Sequence, residues 1–165
     1  MRRTRAALIG PAGVSMIPVL IGTLACLIAV AIHTTVVSAV IVASPRLARD
    51  ATRHRFFRIV RTVLPSALTL LVAHMLEIIV WASIYKLLGV TADGDASFYF
   101  AFVNYTTLGY GDVLPTSEWR LLGPMAACCG ILLFGLSTAA LFEVLRQTAL
   151  TVETVDEAAS TRPRP

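Results

Sequence analysis

Residues 95–112 read Asp95-Ala-Ser-Phe-Tyr-Phe-Ala-Phe-Val-Asn-Tyr-Thr-Thr-Leu-Gly-Tyr-Gly-Asp112. The stretch is too apolar for an exposed loop and too short to cross a bilayer. Asp95 or Ser97 can cap a helix of about ten residues ending near Tyr105 or Thr106, half of the roughly 20 residues a membrane span needs. The Gly-Tyr-Gly that follows ends the helix. Non-helical backbone at membrane depth is tolerated only where protein buries it or where it lines a watery cavity. Residues 107–112 must therefore dip into the membrane, return, and put their carbonyl groups to use.

The flanks make the surroundings a membrane. Of the 165 residues 56% are hydrophobic and 15% charged, with a mean hydropathy of +0.75; soluble domains carry about a quarter charged residues. No Asp, Glu, Lys or Arg occurs in residues 6–45 or 121–142, and either run is long enough to span as a helix. The sequence therefore predicts an all-α membrane protein. Its net charge of +4 rests on thirteen Arg and one Lys, and six of the Arg lie between Arg46 and Arg61. Between two apolar spans, that basic segment fits the anionic cytoplasmic leaflet rather than nucleic acid. Cys26, Cys128 and Cys129 all fall in apolar runs without a CxxC or His-rich companion, so they read as packing residues. No nucleophile, base and orienting group converge, so an enzyme is not expected.

Four parts follow in chain order. Residues 1–43 hold an N-terminal segment and a first spanning helix over 14–43, well formed from about Pro18 because Gly10, Pro11, Gly13 and Pro18 disfavour regular helix. The basic N-terminus before an apolar run also mimics a signal peptide, although the run exceeds an h-region of roughly 7–15 residues. Residues 44–63 read as a basic interfacial cytoplasmic helix, with Ala48, Thr52, Phe56, Ile59, Val60 and Val63 on the apolar side. Arg55, Arg58 and Arg61 repeat every third residue as in a voltage sensor, but one span alone precedes them and Pro65 interrupts the pattern. Residues 64–146 carry two more spans: 64–88, with Pro65 in its first turn and Trp81, Tyr85 and Lys86 at the far interface, and 119–146. In the last span small residues recur four apart at Ala126 and Gly130 and at Gly135 and Ala139, which lets helices approach closely. Residues 147–165 form a polar cytoplasmic tail, too short for a soluble regulatory domain.

Thr106-Thr107-Leu108-Gly109-Tyr110-Gly111-Asp112 resembles the T-x-G-Y-G-D selectivity-filter signature of the potassium-channel pore family, and the resemblance covers about residues 64–145. It looks like a small prokaryotic type with an extra N-terminal transmembrane helix. The resemblance implies three spanning helices and a pore helix over 96–106 in each subunit, four subunits around one axis, and a filter at 107–112. The carbonyls of Thr107, Leu108, Gly109 and Tyr110, with Gly111 and the Thr107 hydroxyl, would bind dehydrated potassium, the sole metal expected, with no other cofactor. Asp112, Tyr99, Phe100 and Thr106 would support the filter, the ring of Tyr110 bracing against Tyr99 and Phe100. Positive φ, needed to turn successive carbonyls one way, falls most cheaply on Gly109 and Gly111.

Three positions depart from the family pattern. Leu108 stands where Val is usual. Val103 stands where some bacterial relatives have a Glu that pairs with the filter aspartate, which leaves Asp112 without that partner. Tyr99 and Phe100 replace a tryptophan pair. In the inner helix, Gly130 resembles the hinge glycine; Ile131, Phe134 and Thr138 would line a cavity, and Leu141, Phe142 and Leu145 would form a gate able to close by dewetting.

Glu77 is an ionisable residue inside a span, with His74 three residues earlier on its face; His33 lies at a similar depth in the first span. The three invite a pH-sensing role, against which stands a neutral Glu77 bonded to a polar neighbour for packing. The filter faces outward by resemblance and the basic segment inward by charge, so Met1 lies outside unless residues 6–43 form a re-entrant hairpin. Asp93, Asp95, Asp112 and Glu118 then ring the outer mouth and concentrate cations. The expectation is a homotetrameric potassium channel in the cell membrane, of prokaryotic inner or plasma-membrane type. A less selective cation channel and a non-conducting interaction subunit with a pore-like fold are the competing readings.

Overall fold

The computed structural model describes residues 16–49 and 55–160. It is helical throughout, with no strand among the described residues: α1 (Met16–Arg49), α2 (Arg55–Leu88), a short 3-10 turn (Gly94–Ala96), α3 (Ser97–Tyr105), a second turn (Ser117–Trp119) and α4 (Leu122–Ser160). Three stretches, Met16–Leu47, Phe56–Leu88 and Ser117–Thr151, are long and apolar enough to cross a membrane, and α3 is the short helix between the second and third. With three helices of spanning length, the chain is a multi-pass membrane protein.

Small residues set the helix packing. On α1, Ala25 and Ala29 are fully buried one turn apart, and a Cβ on Gly22 would run into the side chain of Met125 on α4. α1 thereby lies against α2 and α4, and α3 fills the notch between those two. The core around this contact contains Ile78, Trp81, Tyr85, Phe100, Tyr105, Leu122, Ala126 and Leu133. Apolar side chains on the other faces, such as Leu20, Leu24, Leu68 and Leu71, are exposed, as a lipid-facing surface requires.

The helices are longer and fewer than the sequence pattern implied. No separate interfacial helix spans residues 44–63: α1 carries through Pro45 to Arg49, and residues 55–63 are the first turns of α2. Pro65 accordingly lies inside α2 rather than in its first turn. Proline removes one backbone donor, yet lipid leaves the chain no better option than helix on either side of it. Phe56, Phe57 and Val60 are exposed as lipid-facing residues are, while Arg58 and Thr62 are buried against the other helices. Ala48 and Thr52 lie outside the residues whose side chains are described, as do the N-terminal segment and most of the tail. α4 runs on to Ser160, so residues 147–160 extend the inner helix.

Trp81 and Tyr85 are core residues and not interface anchors. Both are fully buried, and the Tyr85 hydroxyl donates to the Leu122 carbonyl at 3.0 Å. Lys86 alone of that trio is exposed; its ammonium lies 3.8 Å from Asp95. α3 follows Ala96 with no side-chain cap, and the capping contact is on the 3-10 turn before it. Asp93, not Asp95 or Ser97, accepts from a backbone N–H, that of Asp95 at 3.0 Å, while Ser97 instead meets the Thr91 hydroxyl at 3.1 Å.

Candidate functional site

α3 ends in a Schellman turn. The Leu108 N–H bonds the Val103 carbonyl and the Thr107 N–H bonds the Asn104 carbonyl, both at 2.9 Å. Such a turn needs a left-handed residue, and here it is Thr107, with φ 61°. A β-branched side chain is rarely found there; glycine would be the cheap choice. Left-handed backbone then recurs at every second position, at Gly109 (φ 57°) and Gly111 (φ 75°). A Cβ at either glycine would meet nothing within 4 Å, so these residues are required for their backbone angles rather than for space.

Alternation of left-handed with ordinary residues at 107–111 lets successive carbonyls point to one side. Among the described residues no hydrogen bond ends on the carbonyl oxygens of 107–111. All five residues are exposed on the single subunit. Unbonded carbonyls at the C-terminal, partially negative end of a half-membrane helix make a cation-binding arrangement. The sequence reading placed positive φ on the two glycines and missed Thr107, because propensity argues against it.

The supporting residues divide. The Tyr99 hydroxyl donates to Asp112 Oδ2 at 2.6 Å, so Asp112 has a pore-helix partner after all, from a residue four positions before Val103. That hydrogen bond, with smaller help from the Val113 N–H, holds the Asp112 carboxyl below the usual range. Within one subunit Phe100 is buried against Tyr85, ring centroids 5.3 Å apart, and Tyr110 is 69% exposed. The Thr106 hydroxyl turns back to the Phe102 carbonyl at 2.8 Å.

On α4, Gly130 is a contact point. A Cβ there would collide with the Tyr105 carbonyl, so α3 and α4 touch backbone to backbone just before residues 107–111. Ile131, Phe134, Thr138, Phe142 and Leu145 are exposed along α4, and Leu141 is half-buried. Asp93, Asp95, Asp112 and Glu118 are all exposed.

His33, His74 and Glu77 come together, although 44 residues separate the first from the last. His33 Nδ1 lies 2.8 Å from Glu77 Oε1, and the two imidazole centroids are 5.0 Å apart. Two residues that the sequence reading did not attach to this group complete it. Tyr105 donates to Glu77 Oε2 and lies 2.8 Å from His74 Nδ1; Ser137 lies 2.9 Å from His74 Nε2 and 3.2 Å from His33 Nε2. Neither carries a sequence signal, because a Tyr on a pore helix and a Ser on an apolar helix are ordinary.

Residues 73–147 match a family model described as an ion channel. The match begins in the middle of α2, takes in α3 and residues 107–112, and ends in α4, leaving α1 outside it. No curated protein and no solved structure is similar enough to the chain to be matched. The matched segment supports ion-channel function and oligomeric assembly.

Proposed function

We propose that the chain is a potassium-selective channel, in which four copies surround one axis and conduct passively down the electrochemical gradient in a cell membrane of prokaryotic type. The observation that carries this reading is the alternating left-handed backbone at Thr107, Gly109 and Gly111, with unbonded carbonyls at the end of α3. Four strands of that kind facing one another replace the water shell of an ion with oxygen, and Thr107 adds a hydroxyl at the inner end. Potassium is the cargo and needs no further cofactor.

Assembly follows from what one subunit leaves open. Ile131, Phe134, Phe142 and Leu145 are exposed along α4, the backbone of 107–111 is exposed as well, and lipid would leave that backbone unsolvated. Further copies enclose it and create a watery axis. Phe142 and Leu145 then narrow the inner end, and the four exposed acids of each subunit gather cations at the outer one. The basic residues 46–61 meet anionic lipid on the inner side.

The test is flux. The protein is reconstituted in liposomes and potassium and sodium uptake are compared. Potassium uptake well above sodium supports the reading. Equal uptake favours a less selective cation channel, and none a non-conducting membrane subunit.

A further inference from the structure

The group formed by His33, His74, Glu77, Tyr105 and Ser137 is a closed ring of hydrogen bonds drawn from all four helices. Its five edges run Glu77–His33, His33–Ser137, Ser137–His74, His74–Tyr105 and Tyr105–Glu77. His33, Glu77 and Tyr105 are fully shielded and His74 and Ser137 nearly so. Each ring nitrogen and each carboxylate oxygen is already engaged. The donor atoms of His33, His74 and Glu77 lie within 4.8 Å of one another, but with every one engaged, the ligand this geometry takes is a proton.

The hydrogens can be counted. Neutral His33 and His74 bring one N–H each, and Tyr105 and Ser137 one O–H each, giving four protons for five edges if Glu77 is ionised. Tyr105 donates to Glu77 and so accepts from His74 Nδ1, and His74 Nε2 then accepts from Ser137. Neutral His33 has one N–H for its two edges: either a bare Nδ1 faces Glu77 Oε1 at 2.8 Å or a bare Nε2 faces the Ser137 oxygen at 3.2 Å. Either tautomer sets two acceptors face to face. A fifth proton on His33 completes the ring and makes it neutral. Circulation in the opposite sense also requires five. A sixth proton leaves the Ser137 hydroxyl without an acceptor. The ring is complete in one protonation state alone.

We propose that these five residues form a proton-binding site that ties α1 to the other three helices, and that loss of its fifth proton opens one of the two edges at His33 and alters conduction. The conduction clause rests on the channel reading above. Tyr105 transmits the change, since its hydroxyl is in the ring and its carbonyl touches Gly130. Phe134 is the access point: its ring covers His74 at a centroid distance of 4.5 Å and is itself 39% exposed on α4. Other charges near the ring are few. The thiol of Cys129 on α4 interacts with Glu77, and Cys26 of α1 lies beyond it. No Asp, Lys or Arg occurs in residues 16–45, 62–85, 97–105 or 122–142 of the four helices.

Glu77→Gln separates proton binding from packing. The amide donates to His33 and accepts from Tyr105, so all five bonds remain with no acid to ionise. The experiment follows thermal loss of the detergent-solubilised oligomer, and potassium flux in liposomes, as pH is raised. The folded wild-type ring holds a proton that the unfolded chain releases, so its stability falls with rising pH, about tenfold in the unfolding equilibrium per pH unit for one proton. Glu77→Gln lacks that alkaline limb in both stability and flux. Ser137→Ala removes two edges and one hydroxyl, so the three remaining edges are filled by three protons and the alkaline limb is lost there too. An alkaline limb unchanged in either variant overturns the site. If stability behaves as stated while neither protein conducts, the proton site stands and the channel reading falls.

Discussion

Gly130 of α4 and the carbonyl oxygen of Tyr105, the last residue of α3, are in backbone contact, and a Cβ on Gly130 would fall well under 3.0 Å from that oxygen. The atom in the way is main chain and cannot swing aside. Gly130→Ala must push α4 from α3, an overpacking that costs about 1–3 kcal/mol. The expected outcome is a lower melting temperature of the oligomer together with reduced potassium flux, because Tyr105 lies two residues before the first filter carbonyl. Wild-type stability in the variant would leave Gly130 with a hinge role alone.

Tyr99→Phe removes the hydroxyl that donates to Asp112. The bond favours the ionised carboxyl, so its contribution is present above the ordinary carboxylate range and is lost as pH falls through the depressed value. Without it, Asp112 protonates at higher pH. Carbon NMR of the labelled Asp112 carboxyl reads this as an upward shift of the titration midpoint, and a midpoint that stays in place would show that the 2.6 Å contact does not set it.

Trp81 is enclosed by the helices rather than resting at the membrane surface. Trp81→Ala is expected to cost roughly 2–4 kcal/mol, mostly the packing share of a large-to-small core change. Chemical denaturation in mixed micelles measures it. A loss under half of the lower figure would return Trp81 to an interfacial role.

The positions misread in the sequence share a physical origin. Trp81 and Tyr85 carry the composition of an interfacial belt, and nothing local reports that Leu122 offers the Tyr85 hydroxyl a carbonyl deep in the protein. Pro65 is a terminator by propensity, but in lipid the helix continues because every alternative leaves more backbone unpaired. Asp112 lost one family partner and gained Tyr99, a pairing legible only once α3 and the returning strand are set side by side. Residues 107–112 were legible because two glycines and a helix of half-membrane length leave little choice of backbone. His33, His74 and Glu77 were legible because equal depth in neighbouring spans is arithmetic, whereas Tyr105 and Ser137 needed the packing.

Thr107→Gly tests why a threonine holds a left-handed position. Glycine removes a backbone cost of about 1–2 kcal/mol but adds conformational freedom to the unfolded chain, about 0.5–1 kcal/mol. Oligomer stability should therefore change by no more than about 1.5 kcal/mol, while potassium flux falls through loss of the hydroxyl. A variant that conducts as the wild type does would show that the Thr107 side chain is dispensable.

The central claim is that the carbonyls of residues 107–111, repeated around an axis, pass potassium in preference to sodium. Its most direct measurement is the reversal potential of the reconstituted protein with potassium on one side of a planar bilayer and sodium on the other. A selective filter predicts a large displacement of that potential toward the potassium equilibrium, abolished by Gly109→Ala, whose side chain resists the left-handed angle. Current that reverses at zero under the same gradient would contradict it.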